Sequence, residues 1–121
     1  MNCYMSGKAD GPGYDPRAVR RRYAAIENPA KVFVFIHEHP GSIEDGFFYV
    51  TPLDFWRYGN FPAPHQNGHN LSFADGHAEH WKWLEQDTVR ISKSKGWIVA
   101  VDTIPGSRDL RRLWEATPMV P

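Results

Sequence analysis

Histidines and carboxylates crowd two stretches of this 121-residue sequence. His65, His69, Asp75, His77 and His80 stand in one, and His37, Glu38, His39, Glu44 and Asp45 in the other. Imidazole and carboxylate are ordinary zinc ligands, and dense clusters of them activate water for hydrolysis. On residue type, His65, Asp75 and His77 are the candidate catalytic groups. Their spacing does not follow the His-x-His-x-Asp-His run of the large class of metal-dependent hydrolases. His37-Glu38-His39 also lacks His-Glu-x-x-His spacing. A hard cation is the alternative. Calcium takes oxygens from carboxylates and loop carbonyls, and Glu38, Glu44, Asp45, Asp75 and Glu79, with Asn67 and Asn70, offer them. No EF-hand pattern is present. Ca2+ is the favoured ion and Zn2+ the second, with Glu38, Asp45, His65 and Asp75 as the expected ligands. The cation is expected between the hairpin around Asp75 and the acidic loop at 38–45.

Other chemistries have less to stand on. Ser42, Ser72 and Ser107 lack a nucleophile elbow, and Cys3 lies in a glycine-rich arm. No phosphate-binding glycine loop occurs, so no organic cofactor is expected. Lys plus Arg and Asp plus Glu both number 14, which gives no field to attract nucleic acid or an anionic membrane. Arg20-Arg21-Arg22 reads as a solvated face. A single cysteine excludes an internal disulfide. No apolar run approaches the length of a membrane span, and no signal segment stands at residue 1. As written, the chain is expected to be soluble and cytoplasmic.

These residues need elements to position them. The length suits one domain with one modest core, residues 1–121. Five Trp, ten Gly and ten Pro point to a turn-rich, mainly β domain. Asp15-Pro16 reads as a helix start, with Val19, Tyr23 and Ile26 on one face and Asn28-Pro29 as the stop. Residues 31–37 (KVFVFIH) read as a central strand buried on both faces. Residues 47–51 read as its antiparallel return, followed by a long aromatic loop at 52–64. Asp75-Gly76 between two alternating runs predicts a hairpin with a two-residue turn. That turn pairs Ala74 with His77, Ser72 with Glu79 and Asn70 with Trp81, and puts Leu71, Phe73, Ala78 and His80 on the core face. Residues 84–96 are polar, 97–101 (WIVAV) read as a last strand, and Ser107 caps a terminal helix with Leu110, Leu113 and Trp114 on one face.

His65, nine residues, then Asp75-Gly76 resembles the signature of the H-X9-DG domain of bacterial prepilin-type proteins. The runs from Asn28-Pro29 to Phe35-Ile36, Glu38-His39-Pro40, Ser42 to Phe48, and Ser72-Phe73-Ala74-Asp75-Gly76-His77 are similar to the family's C-terminal half, in its order. The likeness covers residues 1–88. It implies an α+β fold: a small antiparallel sheet with short flanking helices, the globular part of a pseudopilin of the type II secretion kind, with members at the inner membrane or in the periplasm. Related pseudopilins hold Ca2+ in a loop. In the family the sheet packs on a long N-terminal stalk helix, and no such helix is expected within residues 1–121. An uncovered sheet face is therefore expected, to be closed by the segment at 15–27, by the terminal helix, by a second copy or by a pilin-like partner. Two functions follow. One is a calcium-binding, pseudopilin-like domain without catalysis. The other is a metal-dependent hydrolase of a small ester or lactone, such as an acyl-homoserine lactone. The exposed aromatics of 55–61 suggest, more weakly, a sugar or protein contact.

Overall fold

The computed structural model describes residues 1–6, 16–43, 46–48, 50, 60–96 and 107–118. Its centre is a three-stranded antiparallel sheet of β1 (Phe33–Ile36), β2 (Gly68–Phe73) and β3 (Ala78–Lys82), in that order. Among the described residues three α-helices accompany it: a single turn, α1 (Cys3–Ser6), then α2 (Gln86–Ser92) and α3 (Arg108–Glu115). This is a small α+β fold.

The turn at Asp75-Gly76 differs from the expected one by one residue. Phe73 N–H donates to His77 O (2.9 Å) and Gly76 N–H to Phe73 O (2.9 Å), so the loop is Ala74-Asp75-Gly76. Gly76 adopts φ 95°, as the glycine of a three-residue hairpin with a bulge does. The register becomes Ser72↔Ala78, Leu71↔Glu79, Asn70↔His80 and His69↔Trp81. A shift of one residue exchanges faces. Glu79 and Trp81 now share a face with Leu71 and His69, and Ala78 and His80 stand with Ser72 and Asn70. The expected core placement of Ala78 and His80 is thus overturned, and both are exposed.

β1 lies at one side of the sheet, not at its centre. Phe33 is buried opposite Phe73, and a bulge then turns Phe35 outward, opposite Ser72, where it is 59% exposed. The outer edge of β1 is closed by the N-terminal residues. Asn2 N–H donates to Val34 O (2.8 Å), and its side-chain amide donates to Phe33 O (2.9 Å). An apolar run alone does not tell a central strand from one whose edge is sealed this way. Of the antiparallel return expected at 47–51, Phe48 instead bridges Asn2 in parallel and donates to Met1 O (2.6 Å), and residues 49 and 51 lie outside the described residues. The helix expected over 15–27 is two 3-10 turns, Pro16–Ala18 and Tyr23–Ala25, with Tyr23 exposed. Its three apolar positions bury too little to hold so short a helix. The expected strand at 97–101, the loop at 52–59 and the helix start at Asp15 fall outside the described residues.

The core lies on the Phe33, Leu71 and Phe73 side of the sheet. Phe48, Val50, Phe61 and Trp83 join it, with Ile91 from α2, Leu110 and Leu113 from α3 and Ala116 just after it. Ser107 caps α3 as expected, its Oγ accepting from Leu110 N–H (3.1 Å). α2 is a helix within the polar stretch 84–96. Its start is held from a distance by the buried Asp109, whose carboxylate accepts from Leu84 N–H (2.9 Å), Glu85 N–H (3.1 Å) and Thr88 Oγ1 (2.7 Å). None of the described helices is long and apolar enough to cross a membrane.

Candidate functional site

Five of the six histidines separate into three places, and His39 stands apart from them. The first is the exposed end of the β2–β3 hairpin. The loop brings Asp75 to one side of the His77 ring, and Glu79, two residues on in β3, reaches the other. Asp75 meets Nδ1 of His77, and Glu79 Oε2 meets Nε2 at 2.6 Å. Both ring nitrogens are therefore bracketed by carboxylates, and the ring stacks on Phe73 (centroids 4.5 Å apart). Hydrogen bonds to Glu79 and then to Asp75 raise the His77 pKa above its usual value. Donation from His77 lowers Asp75 and Glu79. Glu79 Oε1 also accepts from Trp81 Nε1 (3.1 Å), and the Arg112 guanidinium lies 4.6 Å over the Trp81 ring. The carboxylates sit at opposite ends of the imidazole and do not converge on a common point with it. The arrangement favours the protonated ring of His77.

The second place is buried. His69 lies 2% exposed beneath Trp81 and Trp83, and its Nδ1 accepts from Trp83 Nε1 at 2.8 Å. Burial, reinforced by Arg112, pushes its pKa down to about 3. It is a neutral core histidine with its proton on Nε2, an atom that has no hydrogen-bond partner among the described residues.

The third is on the outer face. His37 follows β1 and His65 precedes β2, and His37 Nδ1 lies 2.8 Å from His65 Nε2. His65 is fixed by its own turn. It exchanges two backbone hydrogen bonds with Gly68 (2.8 and 3.1 Å), and Gln66 (φ 50°) and Asn67 (φ 57°) are both left-handed, as a type I′ turn requires. An open cleft of about 530 Å³ beside it is lined by Pro64, His65, Gln66, Asn70 and His80. His80 Nδ1 bonds Asn70 Oδ1 (2.8 Å).

Glu38 and His39, in the described part of the acidic loop, have partners elsewhere. Glu38 Oε1 accepts from Ser42 Oγ (3.0 Å) and Asn60 Nδ2 (3.3 Å). His39 accepts from Gly41 N–H through Nδ1 (2.9 Å) and donates from Nε2 to Ser92 O (3.0 Å), which fastens the loop to the end of α2. Of the expected metal set, Glu38, His65 and Asp75 each have a different side-chain partner, and Asp45 lies outside the described residues. Among the described residues, no three His, Cys, Asp or Glu side chains form a group that could hold a metal ion. Of the candidate catalytic residues, Asp75 and His77 are in contact, and His65 is in another cluster.

Two partnerships were not anticipated from the sequence. Glu79 was legible as a partner of His77 from its i+2 spacing on a strand. The His37–His65 pair needed the pairing of β1 with β2, which puts the residue after β1 beside the turn before β2. Comparison with family models, curated proteins and solved structures finds no match to this chain.

Proposed function

We propose that the chain is a pseudopilin-like assembly domain in which the His65 and Asp75-Gly76 motif serves the fold. The observation that carries this reading is what both ends of the motif do. His65 closes a turn through its backbone, and Asp75-Gly76 closes the next one, with Asp75 Oδ1 accepting from His77 N–H (3.1 Å). Such side-chain-to-backbone closures are the ordinary work of Asp and Gly in turns. The assembly surface is the outer sheet face, where Phe35 is 59% exposed and Asn70, Ala78, His80 and Lys82 are also exposed. Its occupant is a pilin-type subunit or a second copy.

The test has two arms. Sedimentation of the purified chain, alone and with a pilin-type subunit, should show association that Phe35→Asp removes while circular dichroism stays unchanged. The second arm measures turnover of a p-nitrophenyl ester and of an acyl-homoserine lactone, with and without chelator. Turnover should not exceed that of an Asp75→Asn/His77→Gln double variant. Chelator-sensitive turnover that disappears in the double variant would establish the hydrolase instead, with Asp75, His77 and Glu79 at its centre. For the calcium reading, the thermal midpoint should rise with Ca2+ if Asp45 and Glu38 hold the ion in the native state.

A further inference from the structure

We propose that the His37–His65 pair is a two-histidine binding site for a d-block divalent cation of the zinc and nickel class, with His80, which lines the same cleft as His65, drawn in on binding. The inference does not depend on the assembly reading. Two imidazoles, 28 positions apart in the chain, meet with facing nitrogens 2.8 Å apart and ring centroids 5.0 Å apart. Only one proton fits between the facing nitrogens, so one of them presents a lone pair to the other. A cation that takes the proton's place finds two donors already gathered. With metal–nitrogen bonds of about 2.0–2.1 Å, cis ligands lie about 3.0 Å apart in an octahedral shell and about 3.4 Å apart in a tetrahedral one. The pair must open by only a few tenths of an ångström. His37 is exposed and His65 half-buried, so the rings have room to turn.

The backbone beneath them is already set. Ala63 N–H donates to His37 O (2.8 Å), and His65 is locked to Gly68 by two bonds. His80 lines the same cleft as His65 and is the side chain a bound cation would recruit as its third ligand. Its Nδ1–H donates to Asn70 Oδ1, which leaves Nε2 as the nitrogen with a lone pair. A backbone or side-chain oxygen on the far nitrogen is the usual support for a ligating histidine. The ring lies against Gly68, where a Cβ would stand 2.9 Å from Nε2. His37, His65 and His80 do not yet converge in this structure, so the cation draws His80 in or keeps water in the remaining positions. An all-imidazole set suits zinc and nickel and is poor for calcium. It also departs from the expected ligands, because Asp75 is engaged by His77 and His37 stands in its place.

Isothermal titration of the full chain with Zn2+ and with Ni2+ at pH 7.5 should give one site of micromolar affinity, and Ca2+ should give no heat at the same site. His37→Gln and His65→Gln should each weaken binding at least tenfold and His80→Gln severalfold, while His77→Gln should leave it unchanged. In the wild-type chain, Ni2+ should broaden the ring proton signals of His37 and His65 before those of His39 and His69, a readout that needs no variant. Absence of binding at 1 mM, binding that survives in the His37→Gln/His65→Gln double variant, or broadening centred on His77 would overturn the proposal.

Discussion

Trp83 donates its indole N–H to Nδ1 of His69 across 2.8 Å inside the core, and this bond fixes the charge state of the histidine. A proton on Nδ1 would point at another donor, and burial opposes the charge as well. The unfolded chain takes up that proton near the ordinary pKa of about 6.5, whereas the folded chain resists it down to about 3. His69 therefore leaves stability intact above about pH 6.5 and removes it as the pH falls, by up to about 1.4 kcal/mol per pH unit. Urea unfolding at pH 7.5 and pH 5.0 should show a loss of about 2 kcal/mol from this residue. In His69→Phe that part of the pH dependence should vanish, even though the variant is less stable at both values. An equal slope in the two proteins would refute the assignment.

Asp109 should matter more than its place in a surface-rich terminal helix suggests. It is 2% exposed and supports the entry to α2 through three hydrogen bonds. Removing the carboxylate strands two backbone N–H groups and a buried hydroxyl. Asp109→Ala is expected to cost about 3 kcal/mol. Asp109→Asn, which keeps one acceptor, should cost roughly half of that. Hydrogen exchange should report the loss first in the amides of residues 84–92. Uniform destabilisation with no local signature would count against the long-range cap.

The contrast between α3 and α2 explains what was legible beforehand. For α3 the cap, Ser107, and the buried positions, Leu110 and Leu113, lie within one short window, so the local pattern suffices. The buried face of α2 is Thr88, Ile91 and Ser92, and its cap comes from another helix. Two hydroxyls do not register as an apolar face. The hairpin was legible from Asp75-Gly76, but Asp-Gly serves both two-residue and three-residue loops, and that single residue moved Ala78 and His80 off the core face. At the candidate site, Asp75 with His77 is a local relationship. His37 with His65 arises only when β1 and β2 pair, and no spacing rule carries it.

Glycines 68 and 76 make a graded test of the hairpin. Gly76 has φ 95° with open space around it, so Gly76→Ala meets backbone strain only and should cost about 1 kcal/mol. At Gly68 a Cβ would lie 2.3 Å from Trp81 O, and a backbone atom in a paired strand cannot move aside cheaply. Gly68→Ala should cost about 3 kcal/mol, at the upper end of overpacking changes. Gly46→Ala, where nothing lies within 4 Å, should stay within about 0.5 kcal/mol of wild type. Denaturant midpoints should be highest for the Gly46 variant, lower for Gly76 and lowest for Gly68, and a reversal of Gly68 and Gly76 would contradict the register.

His77 should titrate above the usual histidine value, because two carboxylates accept from its ring. Charge-assisted hydrogen bonds favour the protonated ring, and the same bonds favour the ionised partners. The sign for stability is opposite to that of His69. The raised folded pKa makes a stabilising contribution that is fully present below the unfolded value and is lost as the pH rises through the folded one. All three groups are at the surface, so that contribution is small and is read better from the ring than from unfolding. Proton NMR of the His77 ring should give a midpoint above 6.5, in the direction set by its partners. Glu79→Gln and Asp75→Asn should each move it down, and the double variant should move it furthest. Added salt should narrow the difference, since screening acts on exposed pairs. A midpoint that ignores both substitutions would mean that the imidazole does not sit between its two carboxylates in solution.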